Sequence, residues 1–401
     1  MPVDLTCTPE QASRQSTPSV KRWLAFLLVL VSVSGLLTAW LWPSGVSSQT
    51  PLFWFCFPGA AIIFWLSIFI VRWVIYLAPV FNADGWDATR EQDVELDIWR
   101  GQRRLGVIAQ AIQLPHAIAT ESISAQMLMT NGISLPVQID NSTHTIFHQS
   151  RFGRVSLSQD QRVASQLQAL LLSAQLQSAF HQLAPGSELT VLLQTNLDAS
   201  SFPGSLVQLQ KMTERSIASS LRLTFMLDEG LKVIDNWLDN HDNGQHLLVV
   251  AMHISVKEVD GIGDAAVALL LQSDGSHSNG EIAYLHRPEQ AQQIYGMNYA
   301  LRQALLWGKT NAEDIRQIWF SGTGKTHKAE NIFSQTEIQF PSTSPPCDID
   351  LHAGDTENVS PWLSIAVAAE NARSINAPQL VMNIPKNQPL PWFVVISSCA
   401  G

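Results

Sequence analysis

Two uncharged apolar runs lie back to back near the start of the chain, Trp23 to Trp42 and Leu52 to Val71. Only the short polar stretch Pro43 to Pro51 separates them. Each run has about the 20 apolar residues that are needed to cross a hydrocarbon core about 30 Å thick. The sequence therefore predicts a membrane hairpin that carries a large soluble domain.

Basic residues beside the runs predict the orientation of this hairpin. Lys21 and Arg22 precede the first run, Arg72 follows the second, and the loop between the runs has no Lys or Arg. By the positive-inside rule both ends then face the cytoplasm. A cleaved secretory signal is the alternative, but the first run is longer than a usual signal core and no A-x-A-like cleavage site follows it.

We therefore expect a two-pass protein of a bacterial inner membrane with its soluble domain in the cytoplasm. The predicted segments are a cytoplasmic tail at 1–21, the transmembrane hairpin at 22–79, a linker at 80–103 and the soluble domain at 104–401.

Composition narrows the classes of partner. The formal net charge is -10, which argues against nucleic acid because phosphate binding needs a concentrated basic surface. The four cysteines are Cys7, Cys56, Cys347 and Cys399, and they form neither a C-x-x-C motif nor a spaced Cys/His set. Disulfide frameworks and zinc sites are therefore not expected.

The soluble part alternates strand-like apolar runs with helical patterns, which predicts an α/β sheet fold. The helical patterns cover 160–183, 228–240, 298–307, 328–333 and 362–373. The strand-like runs cover 104–113, 188–194, 247–254, 266–272, 315–320 and 393–397. The loop segment Pro341 to Pro346 lies between elements of the second half.

One segment suggests nucleotide binding at first sight. Gly324-Lys325-Thr326 follows directly after a predicted strand. A phosphate-binding loop needs the spacing G-x-x-x-x-G-K-[ST], and Trp319 stands where its first glycine belongs. An ordinary glycine turn is therefore the preferred interpretation.

The order of elements from Arg104 onward resembles the thiolase-like superfamily, in particular the β-ketoacyl synthases. Four segments carry the resemblance: 104–113 with Gln149-Ser150-Arg151-Phe152, 160–194, 226–272, and a last segment that holds Ser321-Gly322-Thr323-Gly324, Glu330, His352 and 362–369. It implies a duplicated thiolase-like α/β layered fold with halves at about 104–272 and 273–401, preceded by the two-helix hairpin. Homodimerisation, common for such domains, is left open.

The resemblance also implies a vestigial pocket. The synthases use a cysteine at the start of a buried helix as acyl acceptor, supported by two histidines. The matching positions here hold Leu227 for the cysteine and Ser321 for the first histidine, with His352 as the remaining histidine and Ser364 in place of a supporting lysine. Because leucine cannot accept an acyl group, we expect no enzyme activity, no cofactor and no metal.

Three shorter features resemble membrane-anchored adapters of the type VI secretion system that hold a lipase. They are Arg100-Gly101 with Leu105-Gly106, the segment 227–253, and the tetrapeptide Leu285-His286-Arg287-Pro288. This resemblance implies a non-catalytic adapter or scaffold that binds an effector or a spike component of a secretion apparatus.

Two other functions stay open at this stage. The chain could be an acyl-chain or acyl-thioester binding enzyme of the β-ketoacyl synthase type, with His352 as the residue that starts the chemistry. It could also be a purely structural membrane subunit, because fold resemblance alone does not establish a function.

Overall fold

The structure is a computed structural model. It describes residues 3, 5, 8–118, 121–129, 132–139, 144–153, 157–183, 188–196, 221–225 (backbone alone), 230–240, 245–273, 281–292, 296–322, 336–341, 345–386 and 390–399. The chain divides into two compact units, a helical unit at Asp4–Ile98 and an α/β unit that includes Trp99–Gly401.

Two long helices dominate the helical unit. Helix α1 is Val20–Leu41, and helix α2 (Pro51–Trp54) continues through a π-helical turn at Phe55–Gly59 into helix α3 (Ala60–Gly101). Val20–Leu41 and the continuous stretch Pro51–Gly101 are both long and apolar enough to cross a membrane. The predicted pair of apolar helices is therefore present.

The π-helical turn has a local cause. Pro58 lies inside it and has no backbone N–H, which interrupts the regular helical hydrogen bonds. The Ser34 hydroxyl of α1 lies 2.9 Å from the carbonyl oxygen of Cys56 and 2.7 Å from that of Phe57. A neighbouring helix thus satisfies carbonyl groups near the proline, as expected for apolar helices that contain proline.

Residues 80–101 are helical, although the polar composition of 80–103 predicts a linker. The segment contains several good helix formers, namely Ala, Glu and Arg. A helix that has already formed in the apolar run needs no new nucleation to continue into them. Helix α3 consequently extends 30 residues beyond Val71, where the apolar run ends.

The α/β unit contains strands β1 to β13. Their bounds are β1 Arg104–Gln113, β2 Val137–Ile139, β3 Ile146–His148, β4 Leu189–Thr195, β5 Leu221–Phe225, β6 His246–His253, β7 Ala265–Ser273, β8 Ala283–His286, β9 Glu289–Gln290, β10 Gln317–Ser321, β11 Cys347–Asp348, β12 Gln379–Asn383 and β13 Trp392–Ser398.

The helices of this unit are α4 Ile123–Leu128, α5 Gln159–Leu171, α6 Ala174–Gln182, α7 Lys232–Asn240, α8 Met297–Trp307, α9 Ile349–Ala353 and α10 Ser360–Ile375. Single 3₁₀ turns lie at Ala312–Asp314 and Glu357–Val359.

Within the described residues, ten of these strands follow one another in the order β11-β10-β12-β13-β8-β1-β7-β6-β4-β5, and β9 pairs with β13. Strand β4 is parallel to β5 and β6, and β10 is parallel to β11 and β12. The remaining pairs of this sheet are antiparallel. Strands β2 and β3 form a separate antiparallel pair.

The described residues of the α/β unit form three buried hydrophobic cores. The outer face of β1, β4, β6 and β7 packs on α5 and α6, with Leu167 and Leu170 fully buried. At the other end of the sheet, β10, β12 and β13 pack on α8. The third core lies between the two halves and contains α7 and α10.

Helix α10 lies in the core between the two halves of the unit. It is buried almost all round, and its alanines at 366, 368, 369 and 372 let strands approach closely. A helix that is apolar on every face is stable only when it is enclosed. Strands of both halves of the sheet enclose α10 in this core.

The predicted elements differ from the observed ones in several places. The helical pattern at 160–183 is broken into α5 and α6 at Leu172 and Ser173. Strands β8 and β12 are missing from the prediction because each is short, with only four or five residues. The predicted helix at 328–333 lies outside the described residues.

Candidate functional site

A cavity of about 190 Å³ lies where several elements of the α/β unit end. Its lining includes Gln194 near the end of β4, Gly322 directly after β10, and Asn383 at the end of β12. Ser360 and Pro361 line it from the first turn of α10. Ligands of open α/β sheets bind beyond the carboxyl ends of the strands, so this cavity is the candidate site.

A glycine allows the close approach of β10 and β12 at the cavity. Gly322 has a φ of +78°, and a Cβ atom at this position would lie 2.0 Å from the carbonyl oxygen of Ile384. Its backbone N–H donates to Asp350 Oδ2 at 2.8 Å. Both the positive φ and the tight contact require a residue without a side chain.

Hydroxyl and amide groups form a buried polar network beside the cavity. Ser321 Oγ lies 2.7 Å from Ser364 Oγ, and Asn383 Nδ2 donates to Ser321 Oγ at 3.0 Å. The Ser364 hydroxyl also donates to the Ser360 carbonyl oxygen at 2.8 Å. These hydrogen bonds fix the first turn of α10 to the ends of β10 and β12.

Charged groups occupy one side of the cavity. Lys386 Nζ lies 2.6 Å from Asp355 Oδ2 and 3.2 Å from Glu357 Oε1. Behind them, the buried His253 at the end of β6 places Nε2 3.5 Å from Glu357 Oε2. Its Nδ1 lies 3.0 Å from the Gly263 carbonyl oxygen and therefore carries a proton that it donates.

These contacts shift the pKa values of two groups. The hydrogen bond with His253, assisted by Lys386, lowers the pKa of Glu357 to about 2. Burial lowers the pKa of Lys386, but Asp355 and Glu357 outweigh burial, so that this pKa is raised. Near neutral pH Glu357 is consequently a carboxylate and Lys386 is an ammonium group.

The backbone of Glu357 is itself unusual. Its φ is +47°, a region that a side chain with a Cβ atom seldom occupies. The N–H of Glu357 donates to Asp355 Oδ1 at 3.1 Å, and the turn continues directly into α10. Residues in such conformations cluster at functional sites, which makes this turn a candidate for ligand contact.

The cysteines of the α/β unit are poor nucleophiles where they stand. Burial, and then the charge of Asp348, raise the pKa of Cys347 to about 12. Burial, and then the charge of Glu281, raise the pKa of Cys399 to about 11. Cys56 lies in the π-helical turn of the helical unit and Cys7 lies outside the described residues. The described lining of the cavity contains no cysteine.

The structure describes two of the predicted site residues, Ser321 and His352, and each has its own hydrogen-bond partners. Ser321 is fully buried in the polar network, one residue before the cavity-lining Gly322. His352 lies in α9 with Nδ1 2.7 Å from the Ile133 carbonyl oxygen, and it is absent from the described lining of the cavity. Leu227 lies outside the described residues, so its place at a nucleophile position stays a prediction.

Sequence reasoning missed the polar groups that the fold gathers at the cavity, namely Gln194, His253, Asp355, Glu357 and Lys386. A signal for two of them was present, because Gln194 and His253 are polar residues at the ends of strongly apolar strands. Asp355 and Glu357 carry a weaker signal, since they lie five and three residues before the Ser-Pro pair that begins α10.

Solved structures of ketosynthases resemble this chain. The ishigamide ketosynthase/chain length factor matches with a TM-score of 0.50 at 10% identity, over 74% of this chain and 99% of that chain. The 3-oxoacyl-(acyl carrier protein) synthase III, FabH, of Pseudomonas aeruginosa PAO1 gives 0.44 at 13% identity, over 74% and 98%. A variant of OleA from Xanthomonas campestris gives 0.44 at 8% identity, over 73% and 98%.

The first of these likenesses shows the fold, and the prediction of a thiolase-like α/β fold is confirmed. No family model matches the chain, and no curated protein matches it. The comparisons therefore give no support to the predicted resemblance to secretion adapters.

Proposed function

We propose that this protein binds an acyl thioester reversibly, in a ketosynthase-like fold that lacks a thiol nucleophile, and that its apolar helices anchor it in a membrane. The sequence left open an enzyme that binds an acyl thioester. The proposal keeps the binding of the thioester and omits a covalent reaction. It takes precedence over the secretion adapter, since a ketosynthase is among the proteins of the same fold.

The observation that carries the proposal is the cavity at the strand ends. Polar groups line this cavity, and its described lining contains no thiol. A ketosynthase forms a covalent bond between its substrate and a thiolate. The thiols of Cys347 and Cys399 stay protonated near neutral pH because their pKa values are about 12 and 11. Recognition without a covalent intermediate is the function that such a cavity supports.

The helical unit supports the membrane part of the proposal. Large apolar side chains on both long helices are exposed, among them Leu28 at 70%, Leu36 at 73% and Val74 at 59%. Exposed apolar surface on this scale is unfavourable in water and favourable in a lipid core. A hairpin in the membrane would anchor the protein there.

The test uses the full chain in detergent micelles. The probe is butyryl-N-acetylcysteamine, a short uncharged thioester, and isothermal titration calorimetry measures its binding. Intact-protein mass spectrometry of the same samples measures covalent acylation. We expect saturable binding without any increase in protein mass.

Matched cysteine variants complete the test. C347S and C399S should bind the probe as the wild type does, because neither thiol lines the described cavity. Absence of binding by the wild type at millimolar probe would refute the proposal. So would an acyl adduct on any cysteine, since it would show covalent chemistry.

The membrane part has its own test. After extraction of bacterial membranes with alkaline carbonate, the protein should remain in the pellet. A variant that lacks residues 20–79 should appear in the soluble fraction. Release of the full chain by carbonate would contradict membrane anchoring and would leave the binding test unaffected.

A further inference from the structure

Gln194 presents a buried hydrogen-bond donor at the cavity. It is only 2% exposed, and its Oε1 accepts a hydrogen bond from Trp362 Nε1 at 2.5 Å. An indole N–H can only donate, so this bond fixes the orientation of the amide group. The amide Nε2 is thus the end that Trp362 does not occupy, and among the described residues this buried donor has no hydrogen-bond partner.

An unpaired donor in this position needs a partner. Buried polar groups in proteins are nearly always hydrogen-bonded, and an exception calls for a specific explanation. Nε2 belongs to a residue that lines the cavity, which makes a molecule bound there the candidate partner. The complementary atom on the ligand is an oxygen that accepts a hydrogen bond.

Two helix N-termini favour the same kind of atom. Gly230, which precedes α7, and Ser360, which begins α10, both line the cavity. Helix α10 has no side-chain cap at its N-terminus. The N-terminal ends of helices carry partial positive charge, which stabilises an electronegative atom placed near them.

The fixed charges determine whether that oxygen belongs to a neutral or an anionic group. Asp355 and Glu357 are acidic, Lys386 is the basic residue of the described lining, and Lys386 already pairs with both carboxylates. A ligand carboxylate would have to compete with them for this ammonium group and would meet like charge. A neutral carbonyl oxygen avoids that repulsion.

The cavity also limits the length of the ligand. Its volume of about 190 Å³ lies below the roughly 300–1,000 Å³ of pockets that hold drug-sized molecules. A short acyl group fits this space, whereas a long-chain acyl group does not.

We infer that Gln194 is a specificity-determining residue whose Nε2 donates a hydrogen bond to the carbonyl oxygen of a short, uncharged acyl thioester. The carboxylates of Asp355 and Glu357 disfavour acyl groups that end in a carboxylate. This inference rests on the proposed function and names the substrate class of the same site.

Calorimetry with three probes tests it on the full chain in detergent micelles. They are butyryl-, palmitoyl- and malonyl-N-acetylcysteamine, which are short and neutral, long and neutral, and short and anionic. The wild type should bind the butyryl probe at least ten times more tightly than either of the others. E357Q should narrow the gap between the butyryl and malonyl probes, because it removes one negative charge.

Substitutions of Gln194 and of Trp362 distinguish the loss of the hydrogen-bond donor from a general effect on folding. Q194M keeps the length of the side chain without a donor, and should weaken butyryl binding about 5- to 10-fold, as expected for one hydrogen bond between neutral groups. W362F removes the bond that orients the Gln194 amide but keeps the donor, and should weaken butyryl binding less than Q194M does. Q303M, at a buried glutamine outside the described lining, is the matched control and should also bind normally.

The outcomes distinguish this inference from the proposed function. If the wild type binds no thioester, the proposed function fails. If the wild type binds the butyryl probe and Q194M binds it equally well, the role of Gln194 is refuted while the proposed function stands. Equal or tighter binding of the malonyl or palmitoyl probe would refute the assigned substrate class.

Discussion

Arg287 is a buried arginine of the α/β unit whose loss should cost several kcal/mol of stability. It is 1% exposed, and its guanidinium group donates to Asp235 Oδ1 and, at 2.7 Å, to Asp239 Oδ1. Arg100 also binds Asp239, with Nε donating to Oδ1 at 3.1 Å and Nη2 donating to Oδ2 at 2.6 Å. Burial alone would raise the pKa of Asp239, but the two guanidinium groups outweigh burial and lower it.

The substitution R287M leaves Asp235 as a buried carboxylate without its cation, while Asp239 keeps Arg100. Breaking one partner of a buried ion pair costs about 3–5 kcal/mol. For a unit of about 300 residues, 1 kcal/mol corresponds to roughly 1.6 °C in Tm, because the unfolding entropy is about 2.1 cal/mol/K per residue. We therefore expect a fall in Tm of about 5–8 °C.

Thermal unfolding of the full chain in detergent, followed by circular dichroism, measures this fall. R302M is the matched control because Arg302 pairs with Glu337 at 3.3 Å with both side chains more than 60% exposed. Such a pair contributes about 0–1 kcal/mol, and its loss should shift Tm by less than about 2 °C.

The double variant R287M/D235N removes the unpaired charge as well. It should recover part of the stability that R287M loses. A fall of less than 2 °C for R287M, or a double variant that is less stable than R287M, would show that the cost does not come from an orphaned carboxylate.

Three further predictions concern the site and its surroundings. E357Q should lower the free energy of unfolding at pH 7 by about 1–2 kcal/mol, after discounting for partial exposure. Because His253 holds the pKa of Glu357 down to about 2 from 4.5, this difference from the wild type should shrink as pH falls from 4.5 towards 2, and urea unfolding at several pH values measures it. G322A should lower Tm by about 3 °C or more and weaken butyryl binding, because its Cβ would collide with the Ile384 carbonyl oxygen at a positive φ. A G322A variant that binds the butyryl probe as tightly as the wild type in calorimetry would contradict this. Cys347, as the single cysteine of a variant, should resist maleimide at pH 7 until the protein unfolds, since its thiol is buried with a pKa of about 12; rapid labelling of the folded protein would contradict this.

The sequence predicted those elements that repeat a strong local pattern. Strand β1 has the predicted bounds Arg104–Gln113, since an apolar run ends where proline follows shortly after. Strands β6 and β7 differ from prediction by a single residue at each end. The short strands β8 and β12 were missed because four or five residues carry too little periodicity to be recognised.

The candidate site was less predictable than the fold. Gln194 and Trp362 are 168 residues apart in the chain, and only the packing of α10 against β4 brings them within hydrogen-bond distance. His253 and Glu357 likewise meet across more than one hundred residues. The resemblance indicated Ser321 and His352 instead. The described structure places Ser321 in the buried network beside the cavity and pairs His352 with the Ile133 carbonyl oxygen.

By itself, the sequence determined the two apolar helices and the α/β character of the rest, because both depend on hydrophobic patterns over neighbouring residues. It also limited the thiols to four positions, whatever the fold. The tertiary structure alone decided which polar residues share a cavity, which way the Gln194 amide points, and which carboxylates hold Lys386. These properties depend on distances between residues far apart in the chain, and such distances are set by how the layers pack and not by local preference.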